Sequence, residues 1–142
     1  MKTSQLSKPI LWVASALLVF NLTIAINNYD KYTSSILICV IVITILFILF
    51  YKLDIQIDSK NINLKFGMGI IRKTFSLDSI ASVKEVKNSP LLGWGIRFHP
   101  KFTLYNASGL SAIELSFKDG SRNVRIGADD PSKLASYISQ LL

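Results

Sequence analysis

Few residues of this chain are of types that do chemistry, and their spacing assigns them little of it. His99 is the one histidine and Cys39 the one cysteine. An imidazole titrates near neutral pH and can serve as a general base. His99, however, lies between Phe98 and Pro100, with no cysteine and no serine in a nucleophile motif beside it. Asp54 and Asp58 fall on one face of an alternating stretch. Asp129 and Asp130 adjoin a helix start, where carboxylates cap the first turn and complement the helix dipole. No set of histidine, cysteine and carboxylate has metal-ligand spacing. Gly67-Met68-Gly69 lacks the fingerprint of a phosphate-binding loop. Cys39, alone in an apolar run, offers neither a disulfide nor a redox pair. These residues predict a protein that is not an enzyme and carries no metal or cofactor.

Recognition is better served. Trp94 stands between Gly93 and Gly95, with Arg97 and Lys101 shortly after it. Trp and Arg are enriched where surfaces recognise partners. These three are the interaction candidates, the alternative for Trp94 being a ring that plugs the fold or packs at a headgroup layer. Lys60, Lys65, Arg72 and Lys73 form a second set, suited to an anionic lipid surface, where each nearby cation contributes about 1 kcal/mol. The net charge of +7 has no basic run or nucleic-acid motif beside it, so no nucleic acid partner is expected.

The elements that position these residues divide the chain in two. Half of the residues are hydrophobic and 18% are charged, and the apolar excess lies before residue 52. Residues 36–50 read ILICVIVITILFILF, without charge, Gly or Pro. Extended to 34–51, this run covers most of a hydrocarbon layer of about 30 Å at a helical rise of about 1.5 Å per residue. An earlier run, 10–26, has Trp12 near its start and Asn21 as its strongly polar member. A secretory signal peptide is the rival reading of that run, with a small-residue site at Thr23-Ile24-Ala25. The polar gap 27–33, NNYDKYT, is short enough to force neighbouring antiparallel helices. Residues 1–52 are thus expected to form a two-helix transmembrane hairpin with spans at 10–26 and 34–51. Lys2 and Lys8 precede it, and Lys52 and Lys60 follow it. That bias predicts a multi-pass inner-membrane protein with both termini cytoplasmic. Asn21 is a candidate intramembrane polar contact, worth about 0.6 kcal/mol, or else a tolerated residue facing the second helix. The partners implied are membrane lipid, a second copy, or a membrane protein.

From residue 53 the hydrophobic period changes to two. Leu53, Ile55 and Ile57 alternate with polar residues, as do Ile62, Leu64 and Phe66 after a turn. Such alternation marks strands with one buried face. Ile71, Phe75 and Leu77 mark a third strand, and 78–87 a fourth with a bulge. Residues 88–101, holding Pro90, Gly93, Gly95 and Pro100, are expected to be irregular. Strands resume at 102–105, at 113–117 and, after the Asp119-Gly120 turn, at 123–127. Asp130, Pro131 and the spacing of Leu134, Tyr137, Ile138 and Leu141 predict a closing amphipathic helix. Residues 53–142 thus read as a seven-stranded antiparallel barrel or sandwich with a C-terminal helix, making the chain an α+β membrane protein.

The segments Leu77-Asp78-Ser79-Ile80 with Val83, Gly93-Trp94-Gly95-Ile96-Arg97, and Arg125-Ile126-Gly127-Ala128-Asp129-Asp130-Pro131 carry a resemblance. In order and spacing the chain resembles small bacterial membrane proteins with a pleckstrin-homology-like (PH-like) domain behind a membrane hairpin. The hairpin topology, the strand count with its closing helix and the absence of catalytic residues lead to the expectation of a non-enzymatic integral membrane protein whose cytoplasmic PH-like domain mediates protein contacts or self-assembly. The alternative is an anionic-lipid sensor using Lys60, Lys65, Arg72 and Lys73.

Overall fold

The computed structural model describes residues 1–27 and 29–142. Two helices, α1 (Lys8–Asn27) and α2 (Tyr29–Phe50), follow a first strand, β1 (Lys2–Leu6). Strands β2 (Lys52–Ile57), β3 (Asn61–Phe66) and β4 (Ile71–Ser76) come next. They are followed by β5 (Ile80–Lys87), β6 (Gly95–Phe98), β7 (Phe102–Asn106), β8 (Ser111–Phe117) and β9 (Asn123–Gly127). Helix α3 (Pro131–Ser139) closes the chain. Short 3₁₀ turns occupy Leu77–Ser79 and Pro90–Leu92.

The strands form two sheets, ordered β1-β2-β3-β4 and β5-β8-β9-β7-β6. Period-two alternation in β2 and β3 buries Leu53, Ile55, Ile57, Ile62, Leu64 and Phe66 against the second sheet's Ile113, Leu115 and Ile126. The bulge expected in 78–87 falls between Ile80 and Ser82. Asp130 caps α3 by accepting the Lys133 N–H at 3.0 Å, and α3 buries Leu134, Ala135 and Ile138.

Several expectations are corrected. Among the described residues no helix is long and apolar enough to cross a membrane. The apolar run of α1 is 17 residues (10–26) broken by Ser15, Asn21 and Thr23, about 26 Å of helix rise. In α2 the polar residues 29–35, expected mostly as a loop, form the first helical turns. They leave an apolar run of 15 residues, 36–50, about 22 Å against the ~30 Å needed. The transmembrane hairpin is therefore overturned. So are the multi-pass inner-membrane placement and the cytoplasmic orientation of the termini that rested on it. Asn28 and the side chains of 29–33, on which the external loop rested, lie outside the described residues.

The seven-stranded antiparallel barrel is also corrected. The sheets are separate rather than closed, and β7 pairs with β9 in parallel. Nine strands are described, the two additions being β1 and β6. Strand β6 lies inside 88–101, where Gly and Pro predicted irregular chain. Pro100 sits in the turn between β6 and β7, bracketed by reciprocal His99–Phe102 backbone bonds of 2.9 and 3.2 Å, so it removes no ladder donor.

Strand β1 has no apolar alternation to announce it, and a side-chain amide replaces that signal. Gln5 is 2% exposed. Its Nε2 donates to the Ser108 carbonyl at 2.7 Å and to Asp129 at 3.2 Å, and its Oε1 accepts the Ala107 and Ser108 N–H groups at 3.1 Å. Removing the amide strands two backbone donors, each costing about 1–3 kcal/mol when buried. Gln5→Ala is expected to lose about 2–4 kcal/mol by thermal unfolding, and a loss below about 0.5 kcal/mol would contradict that role.

Candidate functional site: the helix-end face

The first turns of α1 lie beside the last turns of α2, where both join the sheets. The Ser7 N–H donates to the Tyr51 carbonyl at 2.8 Å, and Ser7 Oγ donates to the Ala107 carbonyl at 2.6 Å. The Phe50 ring meets the edge of Phe66 at 5.8 Å. Two loops crowd this end.

The first is the β3–β4 turn. Gly67 has φ +56°, and a Cβ there would overlap the Ile48 carbonyl and lie 2.7 Å from the Leu49 oxygen. The turn therefore presses directly on the α2 backbone, which only glycine permits. Beyond it Met68 and Ile70 project outward, 72% and 66% exposed. Arg72 folds back over this turn, its Nε donating to the Gly69 carbonyl at 2.5 Å.

The second loop joins β5 to β6. Ser89 caps the 3₁₀ turn, and Gly93, at φ +65°, ends it. Leu91 is 97% exposed. Trp94 lines an apolar groove with Ile10, Val13 and Leu17 of α1 and Leu46 and Phe47 of α2. Arg97 Nε donates back to the Leu92 carbonyl at 3.2 Å. Each loop thus pairs exposed apolar side chains with an arginine held by the loop's own carbonyl. Helix α1 exposes Trp12, Val13, Leu17, Leu18, Val19 and Phe20.

The residues singled out from sequence are only partly brought together. Trp94 and Arg97 share this face. Lys101, in the β6–β7 turn, lies a strand length away, about 10 Å along β6. Lys65 and Arg72 are cross-strand partners. Lys60 sits at the opposite end of β3, about 20 Å from Gly67. Lys73 faces away from Arg72, its Nζ 5.8 Å from the Phe75 centroid. The four basic residues therefore make no single cluster. Asn21 is buried and donates to the Leu17 carbonyl of its own helix at 2.7 Å, so its polarity is met one turn back. Met68, Ile70 and Leu91 escaped the sequence reading. Their signal is a large apolar residue at a turn tip, where exposure is the default.

The groups with chemical potential are occupied structurally. The Asp54 carboxylate bonds Lys52 Nζ at 2.8 Å, and this hydrogen bond and charge hold the lysine pKa above its ordinary value. Asp58 accepts from Asn63 at 2.9 Å. His99 stacks on Phe102 at 4.5 Å, and its Nδ1 accepts the Lys101 N–H at 3.3 Å. Among the described residues no three His, Cys, Asp or Glu side chains gather as a metal site. Compared with known proteins, the chain matches no family model and no curated protein.

Proposed function

We propose that this chain is a non-enzymatic contact module that docks on an anionic lipid surface through its helix-end face. The observation that carries this reading is the coincidence, at one end, of the apolar helix pair with two loops that each join apolar tips to an arginine. Leu17, Leu18, Val19 and Phe20 of α1 stay exposed although α2 packs along one side of that helix. Contiguous apolar surface of this extent marks an interaction site.

Magnitudes assign the roles. Burying Met68, Ile70 or Leu91 contributes about 1.5–3 kcal/mol each, whereas an arginine near anionic headgroups contributes about 1 kcal/mol. Apolar insertion therefore sets affinity, and Arg72 and Arg97 set the preference for negative charge.

Flotation of the full chain with vesicles tests the proposal. The protein is expected to float with zwitterionic and anionic vesicles and to prefer the anionic ones at low salt. The double variant Arg72→Ala/Arg97→Ala is expected to lose about 2 kcal/mol of that preference, roughly thirtyfold in partition ratio. A chain that stays at the bottom of the gradient as a defined oligomer would reject lipid docking in favour of self-association.

A further inference from the structure

The separation of the two sheets leaves a second feature, whose lining shares no residue with the helix-end face. Strand β4 ends one sheet and β6 ends the other, and no strand pairing joins them. Between these edges opens a cavity of about 460 Å³. Its inner wall is apolar: Phe75 and Phe117 stand 5.9 Å apart, and Tyr105 meets Phe75 edge-on at 6.1 Å. Its lining also includes Lys73 and Arg122. Neither makes an ion pair among the described residues. The carboxylate in the lining, Asp119, accepts the Ser121 N–H at 2.9 Å.

Tyr105 is the telling member. It is nine-tenths buried, lines the cavity, and its hydroxyl makes no hydrogen bond among the described residues. The ring is buried while the hydroxyl keeps solvent contact, so it is free to donate to a ligand in the cavity. Burial also pushes the phenol pKa up, so Tyr105 remains a protonated donor well beyond neutral pH.

We propose that this cavity binds a small organic anion, its apolar body packed on Phe75 and Phe117 and its charged head held by Lys73 and Arg122, with Tyr105 donating to it. The volume falls within the range of about 300 to 1,000 Å³ for small-molecule sites, and the lining is mostly polar around its aromatic patch. Charge-assisted bonds from two cations exceed what a neutral head would gain.

The test is calorimetric titration of the full chain with phenyl phosphate. Inorganic phosphate supplies the head alone, and phenol supplies the body alone. Phenyl phosphate is expected to bind one per chain, at least about tenfold more tightly than either fragment. Lys73→Ala/Arg122→Ala is expected to weaken it at least about tenfold with the circular dichroism spectrum unchanged. Tyr105→Phe, which removes one oxygen, is expected to weaken it about fivefold. Absence of phenyl phosphate binding, equal binding of inorganic phosphate, or undiminished binding by the double variant would each overturn the assignment.

Discussion

Replacing Glu114 by alanine is expected to destabilise the protein by about 3–5 kcal/mol, the cost of leaving a buried pair with one member. Glu114 lies in the central part of the second sheet and is 5% exposed. Across β9 the Arg125 guanidinium holds one carboxylate oxygen at 2.6 Å, and across β5 Lys84 holds the other at 3.0 Å. Arg125 also lies over the Phe102 ring, 3.8 Å from its centroid, and donates to Asn88 Oδ1 at 3.3 Å. Alanine removes the counter-charge while the sheet still holds the arginine. Glutamine keeps the size and one acceptor, and its cost is expected near 1–2 kcal/mol.

The same site predicts a pH dependence. Burial alone would raise the Glu114 pKa, but the hydrogen bonds and charges of Arg125 and Lys84 outweigh it and hold the carboxyl below its ordinary value. The folded state therefore binds this proton less readily than the unfolded chain. Its contribution is complete above the unfolded pKa, about 4.3, and is lost as pH falls through the depressed folded value. Chemical unfolding at pH 7 and pH 3 checks both statements. The gap between wild type and Glu114→Gln should narrow at pH 3, and an alanine variant within about 0.5 kcal/mol of wild type at pH 7 would contradict the account.

Gly67→Ala is expected to have an effect of similar size with a different signature. A left-handed backbone costs a residue with a Cβ about 1–2 kcal/mol. Here the new methyl also meets the main chain of α2, with the Leu49 oxygen at 2.7 Å, and backbone gives way less readily than a side-chain tip. A total of about 3 kcal/mol or more is expected. The second consequence is functional, because relief of the overlap must move the turn carrying Met68 and Ile70 away from the helix end. Vesicle affinity should fall together with stability. In contrast, Glu114→Ala should lower stability while leaving the affinity of the folded protein unchanged. Retained stability in Gly67→Ala would show that the turn does not press on α2.

Much of the sheet region was legible because period-two alternation is a local signal. Leu53 to Ile57, Ile62 to Phe66 and Ile113 to Phe117 declare their buried faces without tertiary information. Asp130 and Pro131 likewise announced α3. What escaped was decided at long range. Strand β1 depends on Gln5 meeting the chain at Ala107 and Ser108. Strand β6 depends on register with Tyr105 and Leu104, which overrode the glycines around it. The helices were misread because hydropathy was extended across residues 34–51, including the polar opening of α2, beyond the length their uninterrupted apolar runs provide. At the candidate site, Trp94 and Arg97 were visible by residue type. Their joining with Met68, Ile70 and Arg72 was not, because the β3–β4 turn is distant in sequence and reaches the same helix end only through Gly67. Lys60, Lys65, Arg72 and Lys73 looked like one basic set, yet strand alternation sends Lys73 to the opposite face from Arg72.

The helix-end face is tested most directly through its own tryptophan. The chain has two, Trp12 and Trp94, so Trp12→Phe leaves Trp94 as the sole indole reporter. The variant is mixed with anionic vesicles whose acyl chains are brominated near the headgroup end, bromine quenching indole fluorescence on contact. Docking through this face predicts strong quenching of Trp94, weakened by salt and by Arg72→Ala/Arg97→Ala. Vesicle-bound protein with unquenched Trp94, or no vesicle binding at all, would contradict it.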